Sequence, residues 1–128
     1  VFAVYIVGLV AKWLKKQGGL AAMQERTEKK AAIVYAALDA HPDFYKPYAQ
    51  KDSRSMMNVT FGTPSEELDK LFAKEAVKHN MKGLKGHRSL GGLRASIYNA
   101  MPIEGCEALA KYMEEFYQAH KDDAPASL

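Results

Sequence analysis

The chain opens on an uninterrupted run of apolar residues. VFAVYIVGLVA, residues 1–11, carries no charge and predicts a helix over Phe2–Gln17. Lys15 and Lys16 suit the C-terminal end of its dipole, and Gly18-Gly19 ends it. A bilayer span needs about 20 apolar residues, and a signal peptide carries its cations before the apolar run, so neither is expected. A helix that is apolar on all sides needs a covering surface. Since no initiator methionine stands at position 1, we expect the sequence to begin inside a longer protein.

Periodic patterning then predicts a second helix over Leu20–Leu38. Its apolar positions recur at steps of three and four, which places them on one buried face. Glu25 and Lys29 pair at i,i+4 on the solvent side. The predicted inner stripe comprises Leu20, Met23, Thr27, Ala31, Val34 and Leu38.

The middle of the chain is predicted as a connector, a strand and a third helix. Prolines make residues 39–55 a connector that permits only short extended pieces. SMMNVTF, residues 55–61, is apolar at most positions and predicts a strand covered on both faces. Thr63 as N-cap, Pro64 and Glu66 resemble a capping box with a proline start, and the helix is expected to end near His79.

The last third predicts a hairpin and a final helix. Residues 81–88 are expected to be extended, 89–92 to turn, and 93–100 to form a strand with alternate residues on opposite faces. Pro102 opens a helix that ends near Ala119, and residues 121–128 form a loose tail. The order α-α-β-α-β-β-α indicates an α+β domain, with helices over one face of a small, mostly antiparallel sheet.

Composition excludes several classes of function. At 128 residues, with 48% hydrophobic and 26% charged residues, the chain is one globular domain. A net charge of +3 is too small by itself to indicate nucleic-acid binding. The single cysteine forms no internal disulfide and fits a reducing compartment such as the cytoplasm. We expect no metal site, because the candidate ligands are scattered: His41, His79, His87, His120 and Cys106. Cys106 lies on an inner helical stripe, where a structural thiol is the expected role.

A basic cluster is the chemically informative stretch. KGHRSLGGLRASIYNAMP, residues 85–102, carries Arg88 and Arg94 around Gly91-Gly92, with His87 adjoining. The arginines could pair with carboxylates on neighbouring elements, or they could bind a substrate with more than one anionic group. An alternative hypothesis, from a different class of protein, is that the chain is a freestanding basic module that binds nucleic acid or another polyanion. Its binding residues would be Lys82, Lys85, Arg88 and Arg94.

The same stretch closely resembles the C-terminal signature of the phosphoserine aminotransferase family, pyridoxal-phosphate enzymes of serine biosynthesis. The segments HR, GG, RAS and YNAMP occur here in the same order and at the same spacing as in that signature. FAVYIVGLVAKWLKKQGGLAAM, residues 2–23, resembles the helix that joins the two domains of that family. RSMMNV, residues 54–59, with Phe61 resembles the first strand of its small domain, and LDKLFAKEA, residues 68–76, the helix before the signature.

The resemblance implies a fold-type-I, homodimeric aminotransferase that has its active site at the subunit interface. This chain would contribute a linking helix, residues 1–18, and the small domain, residues 19–120. The N-terminal large domain, with pyridoxal 5'-phosphate, its Schiff-base lysine and the ring-stacking aromatic, would lie elsewhere. We therefore expect no catalytic and no cofactor-binding residue in this chain, which would be inactive alone.

The resemblance also assigns the basic residues to the two ends of the substrates. Arg94 would bind the α-carboxylate of phosphoserine or glutamate, and His87 and Arg88 would bind the distal phosphate or carboxylate. The implied reaction exchanges an amino group between glutamate and 3-phosphohydroxypyruvate, giving phosphoserine and 2-oxoglutarate. In many bacteria the family also serves pyridoxine biosynthesis. No nucleic acid and no membrane is expected as a partner.

Overall fold

A computed structural model describes residues 1–123 as four helices and a small sheet. The helices are α1 (Phe2–Lys16), α2 (Gly19–Asp39), α3 (Glu66–Lys78) and α4 (Ile103–His120), and the strands are β1 (Lys46–Pro47), β2 (Asn58–Gly62) and β3 (Leu93–Ser96), with a single 3-10 turn at Lys51–Ser53. The predicted α+β class is confirmed. The predicted tail begins where α4 ends, and its residues 124–128 lie outside the described residues.

The sheet is antiparallel in the order β1-β2-β3. Its third strand differs from the prediction, because it comes from the connector at Lys46–Pro47 and not from residues 81–88. Proline is tolerated there because β1 is an edge strand, which needs fewer backbone donors. Residues 81–88 contribute only an isolated bridge between Lys85 and Leu93. Gly83, at φ 77°, interrupts the extended backbone before that bridge.

Alternation along β3 sets one buried and one partly exposed face, as predicted. Leu93, Ala95 and Ile97 are buried, whereas the residues between them keep contact with solvent. The buried face meets a cluster of aromatic rings, in which Phe72 of α3 packs edge-to-face on Phe61 of β2. This core fixes β3, and therefore its alternate polar residues, against the helices.

The start of α3 lies two residues later than predicted. Ser65 is the N-cap, and its Oγ accepts a hydrogen bond from the backbone N–H of Leu68 at 3.2 Å. The predicted N-cap role of Thr63 is therefore wrong. Its backbone N–H instead donates to Asp69 Oδ1 at 2.7 Å, and its hydroxyl lies 2.8 Å from the same oxygen. That carboxylate closes the loop ahead of the helix, a contact that sequence spacing alone does not indicate.

Helix α1 buries none of its residues within the described chain. Phe2 keeps 77% of its surface exposed, and Leu20, predicted to be on the inner stripe of α2, keeps 84%. The apolar character of α1 agrees with a helix that needs a covering surface. No helix over residues 1–123 is long and apolar enough to cross a membrane.

Candidate functional site

The basic cluster lies on a hairpin whose base is joined to β3. The backbone N–H of Arg94 donates to Leu84 O, and that of Gly86 donates to Gly92 O, both at 2.8 Å. Between them Lys85 faces Leu93 in the isolated bridge. Beyond these pairs the chain leaves the sheet, so the residues between Gly86 and Gly92 form a projecting tip.

Backbone hydrogen bonds and glycines shape the tip. Leu90 N and Gly91 N both donate to His87 O, at 3.0 and 2.7 Å. Gly91 and Gly92 adopt φ values of 68° and 65°, a left-handed conformation that glycine reaches without steric cost. The observed turn therefore begins at His87, two residues before the predicted turn at Ser89.

The tip presents His87 and Arg88 to solvent, and both side chains are exposed. His87 Nδ1 lies 2.6 Å from Ser89 Oγ and 3.3 Å from the backbone nitrogen of Ser89. A backbone N–H can only donate, so Nδ1 is the acceptor in this contact and Nε2 is the other ring nitrogen, which faces no partner among residues 1–123. Nε2 is therefore the nitrogen that can donate to an anion.

Arg94 lies at the base of the hairpin in a different environment. It is half-buried on β3 and lines a cavity of about 500 Å³. The walls of this cavity are the segment after α3, the outer edge of β3, and α4, and they include His79, Lys82, Leu84, Ser96, Met101 and Leu109. Its Nε is buried and has no hydrogen-bond partner among residues 1–123. Within residues 1–123 no carboxylate lies within 4 Å of its guanidinium.

A structurally paired arginine in the same chain gives the contrast. The two terminal nitrogens of Arg54 donate to Asp39 at 2.7 and 2.6 Å, and its guanidinium lies over the ring of Tyr35. The terminal nitrogens of Arg54 are thus paired with a carboxylate, although its Nε has no partner in the described part of the chain. Among residues 1–123, Arg88 and Arg94 have no such partner. The alternative in which they pair with neighbouring carboxylates is therefore not observed there.

The two ends of the cluster occupy separate surfaces. Arg94 lines the cavity, whereas neither His87 nor Arg88 contributes to its walls. The hairpin register explains the separation, because Arg94 stands opposite Leu84 at the base and Arg88 stands beyond Gly86 in the tip. The arrangement provides one recessed and one projecting group of donors for oxyanions.

Comparison with known proteins identifies the family. The model of the family "Aminotransferase class-V" matches residues 1–109, which include α1, the sheet and the whole hairpin. The chain belongs to the class-V aminotransferases. The family resemblance seen in the sequence is thereby confirmed.

Individual relatives of this aminotransferase chain are phosphoserine aminotransferases. That of Geobacillus kaustophilus is 58% identical over 115 residues, covering 90% of this chain and 32% of the relative. That of Bacillus subtilis is 50% identical over 120 residues, covering 94% and 33%. The chain spans about a third of the length of these curated relatives.

Solved structures give the same result. The phosphoserine aminotransferase of Bacillus circulans subsp. alkalophilus aligns with a TM-score of 0.89 at 50% identity, over 93% of this chain and 33% of that one. The enzyme of Trichomonas vaginalis, solved with pyridoxal phosphate bound, aligns with a TM-score of 0.82 at 37% identity, over 88% and 32%. The hairpin and the cavity thus belong to a fold shared with these enzymes.

The lysines of residues 1–123 differ in their burial. Lys30 is the only one that is buried within residues 1–123, and its ammonium group donates to three backbone carbonyls. The remaining lysines of that range are exposed. Sequence analysis missed Lys30, although its spacing from Met23, Thr27 and Val34 continues the inner stripe of α2.

We expect Gly86→Ala to open the hairpin tip. An added Cβ would lie 1.9 Å from Gly91 O and 2.8 Å from Gly92 O, and backbone atoms cannot rotate away as a side chain can. The free energy of unfolding of the 128-residue chain should fall by more than about 2 kcal/mol, measured by urea denaturation. Gly91→Ala is the matched control, because its Cβ would meet no atom of residues 1–123 within 4 Å and only the left-handed backbone is penalised, by about 1 kcal/mol. Equal losses in the two variants would contradict this packing argument.

Proposed function

We propose that this chain is the C-terminal part of a phosphoserine aminotransferase. The full-length enzyme would transfer an amino group reversibly between glutamate and 3-phosphohydroxypyruvate, giving phosphoserine and 2-oxoglutarate. One observation carries the proposal. Arg94, within the family match, lines an open cavity with its guanidinium unpaired among residues 1–123. Such a fork suits the bidentate binding of a carboxylate.

The proposed domain organisation follows from α1. Residues 1–18 would link this domain to an N-terminal large domain, and residues 19–120 would form the small domain. The exposed apolar surface of α1, Phe2 included, supports this division, because a packed domain would cover it. We propose that the enzyme is a cytoplasmic homodimer that binds phosphoserine and glutamate. The exposed side chains of His87 and Arg88 in the tip support a site shared with another surface, because residues 1–123 leave them uncovered.

In this proposal each end of the substrate has its own donors. Arg94 binds and orients the α-carboxylate in the cavity. His87, through Nε2, and Arg88 bind the distal group, which is a phosphate in phosphoserine and a carboxylate in glutamate. Pyridoxal phosphate, held outside this chain, would supply the electron sink for the reaction. The contribution of this chain is to position a dianionic or trianionic substrate by its two ends.

The function is tested with the complete gene product. Incubated with pyridoxal phosphate, glutamate and 3-phosphohydroxypyruvate, it should form phosphoserine and 2-oxoglutarate in equal amounts. Related phosphorylated hydroxy amino acids of pyridoxine biosynthesis form a second substrate set for the same assay. A protein that binds pyridoxal phosphate but transfers no amino group to 3-phosphohydroxypyruvate would overturn the proposed substrate. The family match over residues 1–109 leaves the alternative of a freestanding polyanion-binding module without support.

The 128-residue chain alone should catalyse no transamination. In this proposal the cofactor lysine lies in the large domain, and the buried Lys30 donates to three backbone carbonyls. The measurement is 2-oxoglutarate formation in the presence of excess pyridoxal phosphate, with the full-length protein as the positive control. Saturable, cofactor-dependent turnover by this chain would show that the cofactor lysine lies within it.

A further inference from the structure

Lys30 is a buried cation that the proposed function does not use. It projects from α2 into the interior with none of its surface exposed. Its Nζ lies 3.1 Å from Ile97 O, 2.7 Å from Tyr98 O and 3.0 Å from Met101 O. An ammonium group has three N–H donors, so each donor is matched to one carbonyl.

A lysine is a costly residue if packing alone is needed at this position. Within residues 1–123 no carboxylate lies within 4 Å of Nζ, and the neighbouring titratable groups are Arg26 on the same helix and Cys106 on α4. Burial lowers the pKa of Lys30, because desolvation penalises the charged form. An apolar side chain of the same length would avoid this penalty. What the lysine adds is a fixed position for three carbonyls.

Those carbonyls belong to the segment between β3 and α4. β3 has only four residues, and directly beyond its end Ile97 N donates to Met57 O at 2.8 Å, one residue before β2 begins. On its outer edge, Arg94 N donates to Leu84 O at the start of the strand. Lys30 therefore anchors the chain just beyond the C-terminal end of β3, whereas the Arg94–Leu84 hydrogen bond holds the N-terminal end of the strand.

The anchored segment also forms part of the cavity that Arg94 lines. Ile97 and Met101, whose carbonyls bind Lys30, are both in its wall. Arg94, on β3, lies three residues before Ile97, which directly follows that strand. A shift of residues 97–101 would move the wall of the cavity and the strand that carries the guanidinium together.

We propose that Lys30 is a positioning residue for substrate binding, which fixes residues 97–101 and thereby holds Arg94 in register with the substrate α-carboxylate. This inference rests on the proposed function of Arg94. Lys30 touches no substrate in this proposal. It acts only through the backbone that it binds.

The test is a double-mutant cycle in the full-length enzyme, with Lys30→Met and Arg94→Ala. Methionine keeps an unbranched apolar stem and removes the donors. Because displacement of a binding group by about 1 Å can cost about 100-fold, Lys30→Met should lower kcat/KM for glutamate and phosphoserine by about 10- to 100-fold, equally for both and mainly through KM. In the Arg94→Ala background the same change should have little further effect, because the group that Lys30 positions is gone.

The control is Lys29→Met, which removes the neighbouring exposed lysine paired with Glu25 and should leave both substrates unaffected. If Lys30→Met yields no folded enzyme, the cycle is run with Lys30→Gln, whose amide keeps two N–H donors. An equal loss in both backgrounds would indicate a general structural defect and overturn the inference, as would unchanged kinetics in the single mutant. If Arg94→Ala itself spares either substrate, the proposed function of Arg94 fails first, which is a separate and recognisable outcome.

Discussion

Replacing Arg94 by alanine in the full-length enzyme should lower kcat/KM for glutamate and for phosphoserine alike. Both substrates carry the α-carboxylate that this guanidinium is proposed to bind. Loss of one partner of a desolvated charge pair costs about 2–5 kcal/mol, which corresponds to roughly 30- to several-thousand-fold. The half-buried position of Arg94 supports the upper part of that interval, because little solvent screens the contact. The measurement is the kinetics of each half-reaction.

Two further variants separate geometry from charge at this position. Arg94→Lys should restore activity only in part, since an ammonium group is a point charge without the planar fork. Lys82→Ala removes another cation from the wall of the same cavity and should cost far less, because Lys82 is exposed. An Arg94→Ala enzyme that loses activity toward only one of the two substrates would contradict binding of the shared carboxylate.

The face of β3 was predictable because period-two alternation is read directly from the sequence. Leu93, Ala95 and Ile97 alternate with polar residues, and burial follows this pattern residue by residue. The hairpin glycines were similarly informative. The register of the hairpin could not be predicted, because it depends on which backbone groups form hydrogen bonds. The tip begins at His87 because Gly86 N donates to Gly92 O.

The strand β1 was missed because its residues have none of the usual signals. Lys46–Pro47 lies in a segment with two prolines, and its pairing with β2 is decided by tertiary contacts. The same connector also supplies Phe44 and Tyr45, both buried in the aromatic core. Long-range packing thus overrides a local composition typical of loops.

Lys30 illustrates the other limit of sequence patterns. Spacing places it on the inner stripe of α2, but a lysine there is conventionally assigned to solvent. Only the structure shows that three carbonyls, 67 to 71 residues away, converge on its ammonium group. The signal available in the sequence was therefore a lysine at a position of the inner stripe of α2. Its interpretation required the fold of the segment that it binds.

Arg88→Ala should change the preference of the enzyme between the two substrates, because it should lower kcat/KM for them by unequal factors. The proposed contact is with the distal group, where phosphoserine has a phosphate dianion and glutamate a carboxylate. A hydrogen bond to a charged group contributes about 1.5–3 kcal/mol, so phosphoserine should lose roughly 10- to 150-fold in kcat/KM. Glutamate should lose less, because a single negative charge gains less from the guanidinium.

The hairpin supplies a matched control for this prediction. Lys85→Ala removes an exposed cation from the same hairpin, below the tip, and should leave the ratio of the two specificities near that of the unmodified enzyme. The informative quantity is that ratio, measured at constant ionic strength because salt screens exposed charges. If Arg88→Ala lowers both specificities by the same factor, Arg88 does not distinguish the distal groups. The division of the substrate between the tip and the cavity would then be wrong.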